Sequence, residues 1–255
     1  MTIDYITRKT LLYKSVVTSP DFCLNHVLGC SHGCSFPCYA FLMKRRFGQV
    51  KSYDDWRRPK VVLNAMELLE RELNKYKGKI RSVHLCLSTD PFMFGHDEVI
   101  DLSLRIIKRL NNEKVKCSVL TKGVYPEILT DRGMFSSDND FGITLVSLDN
   151  DFKKMYEPYS APYIERIESL RRLHQEGFHT WAMMEPYPTP NIIKQDIVEI
   201  LNSISFVNRI IFGRWNYNKI SGDFRFRDEF YESQADVLTE FCQNNNVECK
   251  IIEGK

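Results

Sequence analysis

No run of apolar residues in this 255-residue chain is long enough to cross a bilayer as a helix, which takes about 20. Charge of one sign is missing too. Thirty-five Lys and Arg face 33 Asp and Glu, a formal net charge of +2, which points neither toward nor away from a polyanionic partner. Low-complexity tracts and charged tails are absent. Met1 to Lys14 is charged and has no apolar run, so no secretory leader is expected and the cytoplasm is the expected location. Cysteine is too sparse for a disulfide scaffold, at eight in the whole chain, and the chain is long enough to bury a real core. A composition 43% hydrophobic and 27% charged fits one or at most two globular domains.

Against that ordinary background, three of the eight cysteines are crowded together. Cys30, Cys34 and Cys38 lie in Gly29-Cys30-Ser31-His32-Gly33-Cys34-Ser35-Phe36-Pro37-Cys38-Tyr39-Ala40, each neighbouring pair separated by three residues. One short loop therefore brings three thiolates together, enough to hold three irons of a cubane [4Fe–4S] cluster and leave the fourth open. Pro37 is expected to rigidify the turn before Cys38. Zinc is the rival: His32 or His26 could be a fourth ligand, although no second Cys pair closes the usual set. Cys23, Cys86, Cys117, Cys242 and Cys249 show no spacing for a second cluster and read as small buried or half-buried side chains.

Elsewhere, strand and helix patterns alternate. Strands are expected at Phe22 to Leu28, Ser82 to Leu87, Val115 to Thr121, Phe141 to Ser147, His179 to Met184, Arg209 to Phe212 and Val247 to Ile252. Helices are expected at Pro59 to Tyr76, Asp97 to Leu110, around Pro126 to Leu129, Ala161 to Gln175, Ile192 to Ser203 and Glu229 to Asn244. The alternation implies a parallel sheet with crossover helices, in a partial or full (β/α) barrel or a doubly wound sheet.

In a parallel barrel the active site lies at the C-terminal strand ends. Polar residues fall there repeatedly: Ser88-Thr89-Asp90-Pro91-Phe92, Thr121-Lys122-Gly123, Ser147-Leu148-Asp149, Glu185-Pro186 and Gly213-Arg214-Trp215-Asn216-Tyr217.

Gly-Cys-Ser-His-Gly-Cys followed by Cys-Tyr-Ala resembles the cluster loop of the radical S-adenosylmethionine (SAM) superfamily, in the branch around spore photoproduct lyase. That branch places three residues and then two between its cysteines. Here the spacing is three and three, with Pro37 extra and Phe36 displaced by one position from the family's aromatic. The resemblance implies an α/β fold, a parallel partial (β/α)6-type barrel with an extra C-terminal βα element. Residues 1–255 then form one domain, with 1–21 as an N-terminal extension and 219–255 as a C-terminal cap. It implies two cofactors, a [4Fe–4S] cluster on Cys30, Cys34 and Cys38, and SAM. It also implies reductive cleavage of SAM to a 5′-deoxyadenosyl radical that takes hydrogen from a substrate.

By the same resemblance, Ser88, Thr89 and Asp90 receive the methionyl amine of SAM, and Thr121 and Lys122 lie near its carboxylate or the substrate. Ser147 meets the ribose, Arg166 suits the carboxylate through its planar fork, and Met184 and Glu185 flank the adenine. Read without the resemblance, Ser88 and Thr89 cap a helix, Lys122 is a rim charge, Arg166 an exposed helix charge that Glu157 could pair, and Met183 and Met184 core.

The family's hydrogen-donating cysteine falls on Leu87, with Cys86 on the opposite strand face, which argues against photoproduct repair proper. An external electron donor is implied as a partner. A nucleic acid is a candidate substrate, since Lys44-Arg45-Arg46, Lys51, Arg57-Arg58 and Lys60 surround Trp56 and could engage phosphates and stack a base. The plainer reading of that segment is a solvated connector. Phe224, Phe226, Phe230 and Tyr231, with Arg225 and Arg227, could form a late lid. From the chain's length, a protein partner could close the barrel. The alternative to an enzyme is a metal-binding module, zinc or Fe–S, that recognises nucleic acid without catalysis.

Overall fold

The computed structural model describes residues 3–14, 21–36 and 38–252. Pro37, on which the expectation of a rigid turn rests, lies outside the described residues. The strands are β1 (Asp4–Ile6), β2 (Leu12–Lys14), β3 (Phe22–Leu24), β4 (Val27–Leu28), β5 (Lys60–Val62), β6 (Ser82–Leu85), β7 (Lys116–Thr121), β8 (Asp140–Thr144), β9 (His179–Tyr187), β10 (Arg209–Arg214) and β11 (Glu248–Ile252). The helices are α1 (Tyr39–Arg46), α2 (Tyr53–Trp56), α3 (Ala65–Lys75), α4 (Asp97–Asn112), α5 (Asn150–Tyr156), α6 (Tyr163–Gln175), α7 (Ile197–Ser203), α8 (Lys219–Gly222) and α9 (Arg227–Asn245), with a 3-10 turn at Glu127–Thr130.

One eight-stranded sheet runs β11-β10-β9-β8-β7-β6-β3-β2. Every neighbouring pair in it is parallel except β2 with β3. From β3 to β11 the spatial order follows chain order without reversal. A doubly wound sheet reverses at a switch point. An unreversed order with right-handed crossovers keeps the crossover helices on one face, as in a barrel cut open. Amphipathic helices cover that face. In α4, Val99, Leu102, Ile106, Ile107 and Leu110 are buried, each stabilising by roughly 1.5–3 kcal/mol relative to exposure.

Three expected elements change. Phe22 to Leu28 is two strands in two sheets, because the polar pair Asn25-His26 interrupts it. Asn25 donates to the Tyr13 hydroxyl at 2.5 Å, while β4 joins a small sheet ordered β1-β5-β4. Pro59 to Tyr76 opens as strand β5, where the β-branched Val61-Val62 pair with β1 and β4, and only then becomes helix. Helix α7 begins at Ile197 rather than Ile192. Thr189 ties 192–193 into a turn through its carbonyl, and the Asp196 carboxylate caps the helix by accepting from the Val198 amide. The basic connector contains two helices, α1 and α2. Described residues of the N-terminal extension supply β1 and β2, and the C-terminal cap supplies α8, α9 and the seventh parallel strand, β11.

Side-chain hydrogen bonds stitch the N-terminal rim of the sheet. The Asn139 carbonyl oxygen accepts from the Cys117 amide and from Asn111 Nδ2, both at 2.9 Å, and Asn139 Nδ2 donates back to Asn111 at 2.8 Å. Asp140, His179 and Arg209 begin three adjacent strands. The Asp140 carboxylate meets His179 Nδ1 at 2.7 Å and Arg209 Nη2 at 3.2 Å. Asn208 accepts from the Thr180 amide at 2.8 Å.

Candidate active site

The cysteine loop leaves β4 of the small sheet and packs against the segment that follows β6, at the C-terminal end of the large sheet. Cys30, Cys34 and Cys38 are all half-exposed, whereas Cys23, Cys86, Cys117 and Cys242 are buried. Cys38 is the N-cap of α1, at the positive end of its dipole, and its carbonyl accepts from the Leu42 amide at 3.0 Å. Gly33 has φ +67° and packs under Tyr159; an added Cβ would lie 2.7 Å from that ring. Glycine is the residue that suits both demands.

A polar network holds the loop against the segment after β6. His32 is 1% exposed, and its Nε2 accepts from the Phe94 amide at 3.0 Å. The ring proton therefore sits on Nδ1, which faces the Asp90 carboxylate at 3.5 Å. Burial pulls the His32 pKa down to about 4, so the ring is neutral at pH 7. Asp90 also accepts from the Thr121 hydroxyl at 2.6 Å, the Phe92 amide at 2.9 Å and the Lys122 amide at 2.8 Å. One carboxylate thus joins the ends of β6 and β7 to the loop. The Thr89 hydroxyl donates to the Gly29 carbonyl, and the Ser31 amide donates to the Met93 sulfur at 3.3 Å. Gly123 permits the close approach behind this knot, since a Cβ there would sit 1.7 Å from the Phe92 carbonyl oxygen.

Beside the loop lies a buried charge triad. Glu157 is fully buried and takes one cation on each oxygen: Lys122 Nζ at 2.6 Å and Arg166 Nη2 at 2.7 Å. Burial would raise the Glu157 pKa, but the two cations outweigh it and hold it at about 2. Lys122 also lies 3.8 Å from Cys34 Sγ and 4.5 Å above the Phe36 ring. Phe36 packs with Phe152, Tyr156 and Trp215, which walls off this side of the loop.

The nine expected cofactor residues divide by what their polar groups already do. Thr89, Asp90 and Thr121 bind within the knot. The Ser147 hydroxyl accepts from the Asp149 amide at 3.1 Å and is wholly buried. Arg166 is 0% exposed. Its fork serves the Ala161 and Thr144 carbonyls, the Ser160 hydroxyl and Glu157, so the carboxylate it meets is an internal one. Met184 lies in the core. Ser88 is 4% exposed, with its amide donating to Asn25 Oδ1 at 3.4 Å, and the Lys122 ammonium is bonded within the triad. Glu185 is half-buried, with Gly213 against it, and burial raises its pKa.

Cys86 is not on a strand face at all. It follows the end of β6 with φ +58°, and its sulfur sits 3.4 Å from His26 Nδ1. Trp56 is 2% exposed and stacks nothing from solvent; exposed aromatics near the loop include Tyr39, Phe47, Phe94, Tyr159 and Tyr217. Of the late aromatics, Tyr231 is core, its hydroxyl accepting from the Trp215 amide and donating to the Tyr187 carbonyl. The anchoring by His32 and the aromatic wall escaped the sequence analysis. His32 lies between two of the loop's cysteines, and Tyr156 precedes Glu157, but nothing in the chain order announces that either belongs to the site.

Three thiols on one loop beside a cation are a donor set that suits a cubane, one sulfur to each of three irons. His32 is held by Phe94 and Asp90, and His26 by Ser103 at 2.8 Å and by Cys86, so neither histidine is placed as the fourth ligand of a zinc site.

The model of the radical SAM superfamily matches residues 24–204, and the chain belongs to that superfamily. It is an enzyme of the kind that carries out SAM-dependent radical chemistry, and it has the mostly parallel α/β fold of the family. Spore photoproduct lyase complexed with dinucleoside spore photoproduct superposes with TM-score 0.64 at 14% identity, over 96% of this chain and 80% of that one. SuiB of Streptococcus suis bound to S-adenosylmethionine gives TM-score 0.51 at 16% identity, over 91% of this chain and 47% of that one. Among curated proteins, uncharacterized protein MJ0683 of Methanocaldococcus jannaschii is 25% identical over 92% of this chain and 85% of its own length. Uncharacterized protein ORF301 of Acidianus two-tailed virus is 25% identical over 73% of this chain; the match spans 62% of that protein. Among the described residues no helix is long and apolar enough to cross a membrane.

Proposed function

We propose that Cys30, Cys34 and Cys38 hold a [4Fe–4S] cluster at which SAM is cleaved reductively, and that the resulting 5′-deoxyadenosyl radical abstracts hydrogen from a substrate bound over the mouth. The observation that carries this reading is the loop itself: three half-exposed thiols, pinned by Asp90, His32 and Thr89 to the C-terminal end of a parallel sheet. When bound, the cluster supplies the electron that splits the sulfonium, and the protein's part is placement and exclusion of water. Cys38 sits on the helix dipole, Phe36 with its aromatic neighbours keeps solvent from Cys34, and Ser88, Lys122 and Glu185 are the groups left to meet SAM. Thr89, Asp90, Thr121, Ser147 and Arg166 act one layer back, holding the strand ends in place. An external one-electron donor is required.

The test is anaerobic reconstitution with iron and sulfide, followed by dithionite and SAM. Release of 5′-deoxyadenosine with about four irons per chain is expected. A colourless protein holding one zinc and releasing none would overturn the reading in favour of a non-catalytic module.

For the substrate, nucleic acid is the favoured class. Tyr39, Phe47 and Tyr217 are 56%, 68% and 86% exposed beside the loop, and Arg45 and Arg46 are exposed on the same helix as Tyr39. Aromatic faces with flanking cations suit stacked bases and phosphates. The fold likeness to a lyase solved with a dinucleoside photoproduct agrees with that class. Stimulation of deoxyadenosine release by DNA or RNA, and not by peptides, is the outcome to look for.

A further inference from the structure

We propose that Lys122 sets the reduction potential of the cluster by donating a hydrogen bond to the sulfur of Cys34; this rests on reading Cys30, Cys34 and Cys38 as the cluster ligands.

The argument begins with charge. Glu157 and Arg166, both fully buried, would form a self-neutralising pair. Lys122, with only 16% of its side chain exposed, joins the same carboxylate and leaves the triad one positive charge in surplus. A buried surplus charge is costly unless an anion meets it. The ammonium has three surroundings on record: Glu157 Oε1 at 2.6 Å, the Phe36 face at 4.5 Å and Cys34 Sγ at 3.8 Å, within reach for a hydrogen bond to sulfur. Glu157 is already shared with Arg166 and Phe36 carries no net charge. The sulfur, as an iron-bound thiolate, is the anion that balances the set.

Among the described residues, Cys34 is the cysteine of the trio whose sulfur meets a side-chain cation, whereas the Cys30 sulfur takes a backbone hydrogen bond from His32. Further bonds hold the loop by its backbone, such as the Cys30 amide to the Trp56 carbonyl at 2.9 Å and the Tyr53 hydroxyl to the Cys34 carbonyl. Lys122 therefore polarises the cluster at one corner. Reduction delivers one electron from an external donor and adds one negative charge without breaking a bond. A cation hydrogen-bonded to a ligand sulfur favours the more negative form and raises the potential. The wall of Phe36, Phe152, Tyr156 and Trp215 covers one side of Cys34, and Lys122 is 16% exposed, so that charge is only partly screened. Glu157 then offsets part of the charge of Lys122 and Arg166 without touching a ligand sulfur.

The experiment measures the cluster's midpoint potential without SAM, so that no cofactor carboxylate contributes. Wild type, Lys122→Gln, Lys122→Arg and Glu157→Gln are reconstituted anaerobically and titrated with dithionite, following the reduced cluster by electron paramagnetic resonance. Lys122→Gln is expected to disfavour reduction about tenfold, which is about 59 mV for one electron. Lys122→Arg keeps the charge and is expected to retain most of the potential. Glu157→Gln removes an opposing charge and is expected to shift it upward. Iron content per chain reports separately on the cluster reading, which fails if wild type takes up none. Wild-type iron content with an unmoved potential in Lys122→Gln overturns the tuning role and leaves the cluster reading standing. If Lys122→Gln does not load, an unmoved or lowered potential in Glu157→Gln overturns it instead.

Discussion

The two rims of the large sheet are both polar, and they are polar in different ways. At the N-terminal rim, Asn111 with Asn139, Asp140 with His179 and Arg209, and Asn208 with Thr180 bond one another across the strand starts, with Arg209 Nε the one buried polar atom of this set left over. At the C-terminal rim the knot around Asp90 is bonded in the same way, but beside it lie three thiols, a buried triad with one positive charge in surplus and the half-buried carboxylate of Glu185. Convergent polar groups alone therefore do not mark a site, because structural stitching looks the same. What marks it is polar capacity left over after the protein's own demands are met.

That contrast can be broken by mutation at either rim. The largest effect is expected for Cys30→Ala, Cys34→Ala or Cys38→Ala. Each should abolish deoxyadenosine release and lower iron content, while circular dichroism of the cluster-free protein stays native. Next, Arg166→Met leaves the buried Ala161 and Thr144 carbonyls and one Glu157 oxygen without their donor and should cost about 1–3 kcal/mol for each in denaturant unfolding of the cluster-free protein. A third substitution addresses the other rim. Asn139→Ala leaves the Cys117 amide unpaired and should cost about 1–3 kcal/mol, with deoxyadenosine per loaded cluster unchanged. A loss of turnover per cluster in Asn139→Ala would erase the distinction between the rims.

The smallest expected effect is on pH dependence. Glu157 is held at about 2, below its ordinary 4.5, so its contribution to stability is complete above about 4.5 and is lost as pH falls toward 2. Unfolding midpoints of cluster-free protein should fall through that window, and Glu157→Gln should lose this component. An identical acid profile in the variant would mean that the triad does not couple to folding.

Much of this was legible in the chain. The alternation of apolar runs announced a parallel α/β sheet, and the superfamily to which the chain belongs was legible in the cysteine loop, because both are local patterns. Boundaries failed where tertiary partners overrode them. Val61-Val62 looked helical beside Ala65 and Leu68 but paired as a strand with residues 4–6, whose identity as a partner no local window contains. Asn25-His26 broke one apparent strand into two sheets. Arg166 was legible as a carboxylate binder with Glu157 among its candidates, but its full burial was not.

The sequence by itself determined the fold class and the crowding of three cysteines on one loop, since hydrophobic period and cysteine spacing are properties of neighbours in the chain. Only the tertiary structure decided which polar groups serve the protein and which remain for chemistry. Asp90 with Thr121, and Lys122 with Glu157 and Cys34, lie 31 to 88 residues apart in sequence, and their hydrogen bonds exist only once the strand ends are brought together.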